Sequence, residues 1–186
     1  MKVENLLVEK RSAILEKWVD LILETYPAET AKFLKDQKNR FANPVGYTIS
    51  QEVDHLFDQL IKNDFEEASR FLENVVRIRA IQNFTPTQAI SFIFTLKDVV
   101  RHEIGKEIAG KGIIDELLAF ESRIDKLAMM AFDIYMKCYE KIYEIRSTEL
   151  RNRTYRLLKR ANVLHELDEQ ESEVKDCSTE SLNEAR

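Results

Sequence analysis

Apolar residues recur every three or four positions along most of this 186-residue chain, which is the repeat of an amphipathic α-helix. A first helix is predicted from about residue 3 to 25, and Pro27 ends it. Its apolar stripe consists of Leu7, Ile14, Trp18 and Ile22. A short second helix is predicted over about 28–37. The chain holds only 4 Gly and 3 Pro, which argues for a few long helices and against a β-sandwich or barrel.

Three further helices are predicted from the residues that start them. Thr48 begins a capping-box pattern at the start of helix three, and Gly46 just before it is expected to take a positive φ. Asp64 gives a similar start to helix four. Thr85 and Pro86 start helix five with a cap and a proline at the first helical position. The predicted core residues of these helices are Val53, Leu56, Phe57, Leu60, Ile61, Phe65, Phe71, Leu72, Val75, Ile78, Ile90, Phe94, Leu96 and Val100.

One long helix is predicted from residue 113 to about 166, because the chain contains neither Gly nor Pro after Gly112. Such a helix is about 80 Å long, more than a single small domain covers. Its first half carries a broad apolar face made of Leu117, Ile124, Leu127, Ala131, Ile134, Cys138, Ile142 and Ile145. Its second half keeps only a narrow seam of Leu150, Leu157, Ala161 and Leu164. This change predicts that the helix leaves its domain and pairs with another helix; the alternative is a helix that frays into solvent.

Charge divides the end of the chain. Residues 146–160 carry six basic side chains and one acidic side chain, a net charge of +5, whereas 166–186 carry eight acidic and two basic ones, a net charge of −6. The acidic segment has few apolar residues and cannot offset the entropy of ordering, so it is predicted to be disordered. We therefore predict a helical domain over 1–147, a linker-like helix over 148–167 and a disordered acidic tail over 168–186.

Composition sets broad limits on location and partners. The total charge of −5 gives no overall reason to expect nucleic acid as a partner. No apolar run is long enough to span a membrane, and the first 20 residues mix acids and bases, so neither membrane insertion nor a signal peptide is predicted. Cys138 and Cys177 have the spacing of neither a disulfide framework nor a metal site. Cytoplasm is the expected location.

No set of catalytic or metal-binding residues is complete in this sequence. Glu52 and His55 have the Glu-x-x-His spacing of di-iron helical bundles, but neither His102 nor His165 has a glutamate three positions earlier. No metal site, cofactor or catalytic residue is therefore predicted, and the protein is not expected to be an enzyme. His102 is kept as a candidate haem ligand.

Aromatic residues form a ladder along the long helix. Its members are Phe132, Tyr135, Tyr139 and Tyr143. Such a ladder is most often part of an ordinary core; the alternative is an apolar pocket in which tyrosine hydroxyls orient a small ligand. Four basic residues are expected on solvated helix faces: Arg77, Arg79, Lys97 and Arg101. The alternative is that they recognise an acidic partner or an anion.

A family resemblance rests on residues between Trp18 and Ile49. They are Trp18, Thr25-Tyr26-Pro27, Phe33-Leu34, Lys38, Arg40-Phe41, Asn43-Pro44-Val45-Gly46 and Thr48-Ile49. In this order they resemble the N-terminal domain of the RsbRD-type RsbT co-antagonists, bacterial stress-signalling proteins. The resemblance implies a non-haem, globin-like bundle of about six helices, whose last helix leads towards a phosphorylatable STAS domain. The 19 residues after Leu167 are too few for a STAS domain, so a stand-alone sensory domain is expected.

The expected function is that of a non-enzymatic, cytoplasmic sensory or protein-interaction module that acts on another signalling protein. A parallel homodimer is expected, because the seam of the long helix and the first helix both need cover. The candidate contacts are Trp18, Ile22, Ile145, Leu150, Leu157 and Leu164. Two alternatives remain: a sensor that binds haem or another small ligand, and a nucleic-acid binder that uses residues 146–160.

Overall fold

The computed structural model describes residues 3–36, 39, 41–105, 107 and 111–161, and every regular element in them is a helix. The helices are α1 (Val3–Glu9), α2 (Arg11–Glu24), α3 (Ala28–Asp36), α4 (Pro44–Lys62), α5 (Phe65–Ile81), α6 (Pro86–Ile104) and α7 (Lys111–Arg160). The predicted all-α class and the long C-terminal helix are therefore confirmed. The chain divides into two units, Met1–Tyr139 and Glu140–Arg186, and α7 continues from the first into the second. The predicted tail, 168–186, lies outside the described residues.

The predicted first helix is in fact two helices, so the described residues form seven helices rather than about six. Lys10, between α1 and α2, has a ψ of 5°, outside the helical range. Its N–H still donates to the carbonyl of Leu6 at 2.9 Å. Arg11 then binds Asp54 at 2.9 Å and Asp58 at 2.8 Å, which ties the start of α2 to α4. The apolar stripe did not predict this break, because a change of ψ at one residue preserves the helical register.

The core of the first unit includes the Trp18 side chain of α2. Its indole N–H donates to the carbonyl of Phe92 in α6 at 2.7 Å, and the two rings stack with centroids 6.2 Å apart. The stripe predicted for the first helix, made of Leu7, Ile14, Trp18 and Ile22, is completely buried. Since α2 packs against both α4 and α6, and α4 packs against α5, these helices share one apolar interior.

Helix α4 begins at Pro44, four residues before the predicted start at Thr48. The N-cap is Asn43, whose Oδ1 accepts the N–H of Gly46 at 2.8 Å, and Pro44 occupies the first helical position. Gly46 is therefore helical, and the positive φ expected for it is wrong. The capping-box pattern misled because Thr and Gln three positions apart also occur inside helices.

Gly46 is required for space. A Cβ atom there would overlap Nδ2 of Asn43 and lie 2.9 Å from its Cγ and Oδ1. Asn43 cannot move away easily, because it is only 1% exposed and its Nδ2 donates to the carbonyl of Leu34 in α3 at 2.8 Å. A single asparagine thus caps α4 and joins it to α3.

The starts predicted for α5 and α6 are confirmed. Oδ1 of Asp64 accepts the N–H of Glu67 at 3.1 Å at the start of α5. Thr85 and Gln88 form a complete capping box on α6, with Pro86 at the first helical position. These caps satisfy N–H groups that the first turn of a helix leaves without partners, so both helices begin where the sequence indicates.

One predicted core residue of α6 is wrong. Phe94 is 46% exposed, whereas its neighbours Phe92 and Ile93 are buried. The buried residues of α6 are Ala89, Phe92, Ile93, Leu96, Val99, Val100 and Ile104. Their spacing of three and four residues leaves position 94 on the outer side of the helix.

Helix α7 differs between the two units. In the first unit its buried side consists of Leu117, Phe120, Glu121, Ile124, Leu127, Ala128, Ala131 and Tyr135. In the second unit, described residues 140–161 are all exposed except Ile142, which is partly buried. The large apolar side chains exposed there are Tyr143, Ile145, Leu150, Tyr155, Leu157 and Leu158. The described residues of the predicted seam, Leu150, Leu157 and Ala161, are therefore exposed in the isolated chain.

Replacing Asn43 with alanine should lower the free energy of unfolding by about 2–4 kcal/mol, because it removes the α4 cap and leaves the Leu34 carbonyl without its donor. Asn39→Ala is the matched control, since Oδ1 of Asn39 accepts an exposed hydrogen bond from the N–H of Phe41. This control should lose less than about 1 kcal/mol. Urea unfolding followed by circular dichroism measures both, and equal losses would contradict the role assigned to Asn43.

Candidate functional site

A pocket lies between the end of α2, α3, the start of α4 and the connection from α5 to α6. Its volume is about 390 Å³, within the range of roughly 300–1,000 Å³ that is usual for small-molecule sites. It is lined by Tyr26, Pro27, Thr30, Phe33, Leu34, Asn43, Pro44, Val45, Gln82 and Phe84. We call it the Tyr26–Phe84 pocket. None of its lining residues carries a charge.

Helix starts build much of the wall of this pocket. Pro27 directly precedes α3, while Pro44 and Pro86 occupy the first helical positions of α4 and α6. All 3 prolines of the chain therefore stand at helix starts, where a fixed φ and a missing N–H are tolerated. Residues in the first turns of α3 and α4 line the pocket, so the partial positive charge of these two helix N-termini lies at its wall.

Two aromatic rings of the wall pack against each other. Tyr26 and Phe84 meet edge to face with ring centroids 5.0 Å apart. The Tyr26 hydroxyl donates to Oε1 of Gln82 at 2.8 Å. Burial raises the pKa of this hydroxyl, while the nearby charge of Arg79 lowers it. Tyr26 therefore presents a neutral, bonded hydroxyl at neutral pH.

Arg79 of α5 lies completely buried against the same two rings. Its side chain is 0% exposed. The guanidinium carbon is 4.4 Å from the ring centroid of Phe84, 5.7 Å from that of Tyr26 and 5.4 Å from that of Phe92. Three aromatic faces therefore surround the cation, an arrangement that stabilises a positive charge by roughly 0.5–2 kcal/mol per contact.

Hydrogen bonds satisfy only part of this guanidinium. Nη2 donates to Oγ1 of Thr25 at 2.8 Å and to the carbonyl of Gln88 at 2.9 Å. Nε and Nη1 are buried without an acceptor, and no carboxylate pairs with Arg79 in the described part of the chain. Burial lowers the pKa of Arg79, because a charge removed from water loses solvation. A buried and incompletely paired charge beside a pocket is a candidate for function.

Phe84 connects this pocket to α7. Its ring lines the pocket, and its carbonyl accepts the hydroxyl of Tyr135 at 2.7 Å. Its N–H donates to the carbonyl of Arg79 at 3.2 Å. Tyr135 is 3% exposed and stands near the end of the first unit. The backbone of Phe84 is thus held between α5 and α7.

The predicted aromatic ladder does not enclose a cavity. Tyr135 is buried and bonded to Phe84, but Phe132, Tyr139 and Tyr143 are 42%, 52% and 66% exposed. A residue must face inward to enclose a ligand, and these three face solvent. The aromatic pocket of the structure is built by Tyr26 and Phe84 instead.

His102 is exposed near the end of α6. It borders a surface depression of about 330 Å³ that is also lined by Lys17, Asp20, Leu21, Asp98 and Val99. Haem requires an enclosed, largely apolar cavity, whereas this imidazole has solvent and two aspartates around it. These surroundings do not favour haem, and the ligand role of His102 stays a prediction.

The predicted dimer contacts fall into two groups. Trp18 and Ile22 are 0% exposed, so neither reaches a second copy while the bundle is folded, and their assignment to an interface is corrected. Ile145, Leu150 and Leu157 are 51%, 67% and 64% exposed. Leu164 lies outside the described residues.

Glu52 and His55 each contact another side chain. Glu52 accepts a hydrogen bond from Nδ2 of Asn74 at 3.0 Å, and His55 stacks on Phe71 with ring centroids 5.1 Å apart. Among the residues that the structure describes, no group of three or more His, Cys, Asp or Glu could hold a metal ion. In the same residues, no helix is long and apolar enough to cross a membrane.

The sequence interpretation missed Arg79. Its charge suggested a solvated helix face, but Arg79 shares the buried side of α5 with Leu72, Val75 and Val76. The spacing of three, four and seven residues from these apolar positions was the available signal. Position in the apolar repeat, rather than residue type, therefore indicates that Arg79 is buried.

Replacing Arg79 with methionine should change the free energy of unfolding by less than about 1 kcal/mol, because a buried charge with unpaired donors gives little net stability. The hydrogen bonds that Arg79 makes to Thr25 and Gln88 are only partly buried, which limits the cost of losing them. Arg79→Ala is the comparison and should cost about 2–4 kcal/mol, since it leaves a cavity. If urea unfolding gave equal losses for both variants, the charge itself would be required for folding.

Comparison with known proteins places the chain in a family. The family model described as the RsbT co-antagonist protein rsbRD N-terminal domain matches residues 12–150. An uncharacterized protein of Archaeoglobus fulgidus is 26% identical over 144 residues, which cover 75% of this chain and 83% of that protein. No solved structure matches the chain. The family match includes every residue of the Tyr26–Phe84 pocket, as well as Arg79 and Tyr135. This chain therefore belongs to the RsbRD N-terminal domains, a family of sensor-type domains in stress signalling.

Proposed function

We propose that this protein is a non-enzymatic sensory and protein-interaction module of cytoplasmic stress signalling, with the globin-like arrangement that the resemblance implies. The observation that carries the proposal is the double role of Phe84, whose ring lines the pocket while its carbonyl binds Tyr135 of α7. A change at the pocket wall therefore acts on the helix that continues into the second unit. The family supports a sensor-type role.

The output of this module is α7 in the second unit. Tyr143, Leu150 and Leu157 are spaced seven residues apart and are 66%, 67% and 64% exposed. Apolar residues that recur every seven positions are typical of a helix that pairs in a coiled coil. We call these three residues the α7 seam. A partner helix that covers the seam removes its apolar surface from water.

A second copy of this chain is the proposed partner of the α7 seam, in parallel orientation. A parallel pair brings identical residues together, so that Leu150 meets Leu150 and Leu157 meets Leu157. The exposed basic residues in this part of α7 are Arg146, Arg151, Arg153, Arg156, Lys159 and Arg160. Their mutual repulsion weakens the pair at low salt, because screening is least there. The paired helices then form the surface that another signalling protein recognises.

Leu157→Asp should weaken this dimer by roughly 1–3 kcal/mol per buried charge, because the carboxylate loses its water when the helices pair. Tyr155→Asp is the matched control: it makes the same change of charge at an exposed position on the other side of the helix. Light scattering over a micromolar dilution series measures the mass. The wild type and Tyr155→Asp should be dimers under conditions in which Leu157→Asp is a monomer.

Two results would contradict the dimer. The first is a monomeric wild type throughout the dilution series at physiological salt. The second is an equal loss of mass in both aspartate variants, which would indicate a general effect of charge. A wild-type dimer that tightens as salt is raised would agree with repulsion between the basic residues.

Tyr135→Phe should lower the free energy of unfolding by about 1–3 kcal/mol, because the Phe84 carbonyl loses its donor in a partly buried position. Tyr139→Phe removes the same hydroxyl from a residue that is 52% exposed and should cost less than about 0.5 kcal/mol. Urea unfolding compares the two. Equal values would mean that the hydroxyl of Tyr135 does not connect the pocket wall to α7.

A further inference from the structure

The Tyr26–Phe84 pocket suits a small and largely apolar molecule. Its volume of about 390 Å³ is near the lower end of the usual range for ligand sites. Phe33, Leu34 and Val45 contribute apolar surface, while Thr30 and Gln82 contribute polar groups. Phe33 remains 50% exposed despite its aromatic ring, so a ligand that packs on it removes apolar surface from water.

Charge adds a second requirement. Arg79 is a buried cation behind Tyr26 and Phe84, and its Nε and Nη1 have no acceptor. The N-termini of α3 and α4 add partial positive charge at the wall. No lining residue is acidic, so the wall itself does not neutralise this potential. A carboxylate supplies both the negative charge and the two acceptors that this guanidinium lacks.

We propose that the Tyr26–Phe84 pocket binds a small hydrophobic carboxylic acid in its ionised form, with Arg79 as the partner of the carboxylate. The apolar part of the ligand packs on Phe33 and Val45. This inference rests on the proposed sensory function, because it identifies the class of ligand that the sensor binds.

Phe84 controls access of the ligand to Arg79. It is the ring nearest the guanidinium carbon, and it also lines the pocket. Its backbone is held by hydrogen bonds at both N–H and carbonyl, while its side chain is only partly buried. Entry of a carboxylate towards Nε and Nη1 displaces this ring, and the displacement reaches the hydrogen bonds that the Phe84 backbone makes with Arg79 and Tyr135. The carboxylate then replaces the aromatic face that Phe84 presents to the cation.

The test compares two probes that differ in charge: 4-phenylbutyrate and 4-phenylbutan-1-ol. Isothermal titration calorimetry with the full chain should show binding of the acid that is about tenfold or more tighter than that of the alcohol, as expected for a charge-assisted pair. Arg79→Met should remove this preference and bind both probes with similar, weaker affinity. Failure of the acid to bind at millimolar concentration would overturn the proposal, as would equal affinities for both probes in the wild type.

Two tryptophan variants locate the site independently of Arg79. Val45→Trp places a large side chain in the pocket wall and should abolish binding of both probes. Leu21→Trp makes the same addition at the surface depression beside His102 and should leave binding unchanged. Binding that survives Val45→Trp, or that is lost in Leu21→Trp, would place the ligand elsewhere. If Arg79→Met failed to fold, two measurements would still test the proposal. They are the preference of the wild type for the acid over the alcohol, and the binding of both probes to the two tryptophan variants.

Competition distinguishes a free acid from the C-terminus of a protein. Octanoate should displace 4-phenylbutyrate, whereas an N-acetylated peptide that ends in phenylalanine should not, because the pocket is small. Displacement by the peptide alone would overturn the free acid as the ligand. Light scattering on the same samples separates this inference from the proposed function. If the acid binds but α7 does not pair, the ligand site stands and the proposed output through α7 is wrong. If α7 pairs but the acid does not bind, only the ligand site is refuted.

Discussion

The buried charge of Arg79 is the constraint on which the pocket end of this bundle depends. Transfer of a guanidinium from water into a protein interior costs several kcal/mol unless other groups compensate. Here the compensation comes from three aromatic faces and from two oxygens, at the end of α2 and in the first turn of α6. Each of these groups lowers the cost of burying the charge. The positions of Tyr26 and Phe84, and with them the pocket wall, are therefore fixed by the same interaction.

This constraint extends to α7 through a series of polar contacts. Glu121 binds Arg101 of α6 through two hydrogen bonds of 2.6 and 2.7 Å, and Arg123 donates to the carbonyls of Leu60 and Ile61 at the end of α4. Further along, Tyr135 binds the carbonyl of Phe84. The first contacts hold α7 against residues of α4 and α6 that do not line the pocket. Of these contacts, the last one joins α7 to a residue of the pocket wall, and Tyr135 stands close to the end of the first unit.

Local signals predicted much of the fold, and the failures have physical causes. Asp64 and Thr85 were identified as caps because their hydrogen bonds involve residues three positions away, which a sequence displays directly. Asn43 was missed because its role depends on the Leu34 carbonyl, which only the packing of α3 brings near. Arg79 was missed because a buried arginine becomes acceptable only when three rings from other segments converge on it. The capping hydrogen bonds are local in the chain, whereas the candidate site is assembled from segments that are distant in it.

Several of the residues that carry the family resemblance also line the pocket. Tyr26 and Pro27, Phe33 and Leu34, and Asn43 to Val45 are three separate parts of that motif, and all of them line the pocket. A core could be filled by many combinations of apolar residues, because volume matters there more than identity. The pocket requires particular chemistry: prolines at helix starts, an asparagine that caps one helix and joins it to another, and a glycine that leaves room for that asparagine. Part of the motif therefore builds the pocket, while other members of it, Trp18 and Ile49, belong to the buried core.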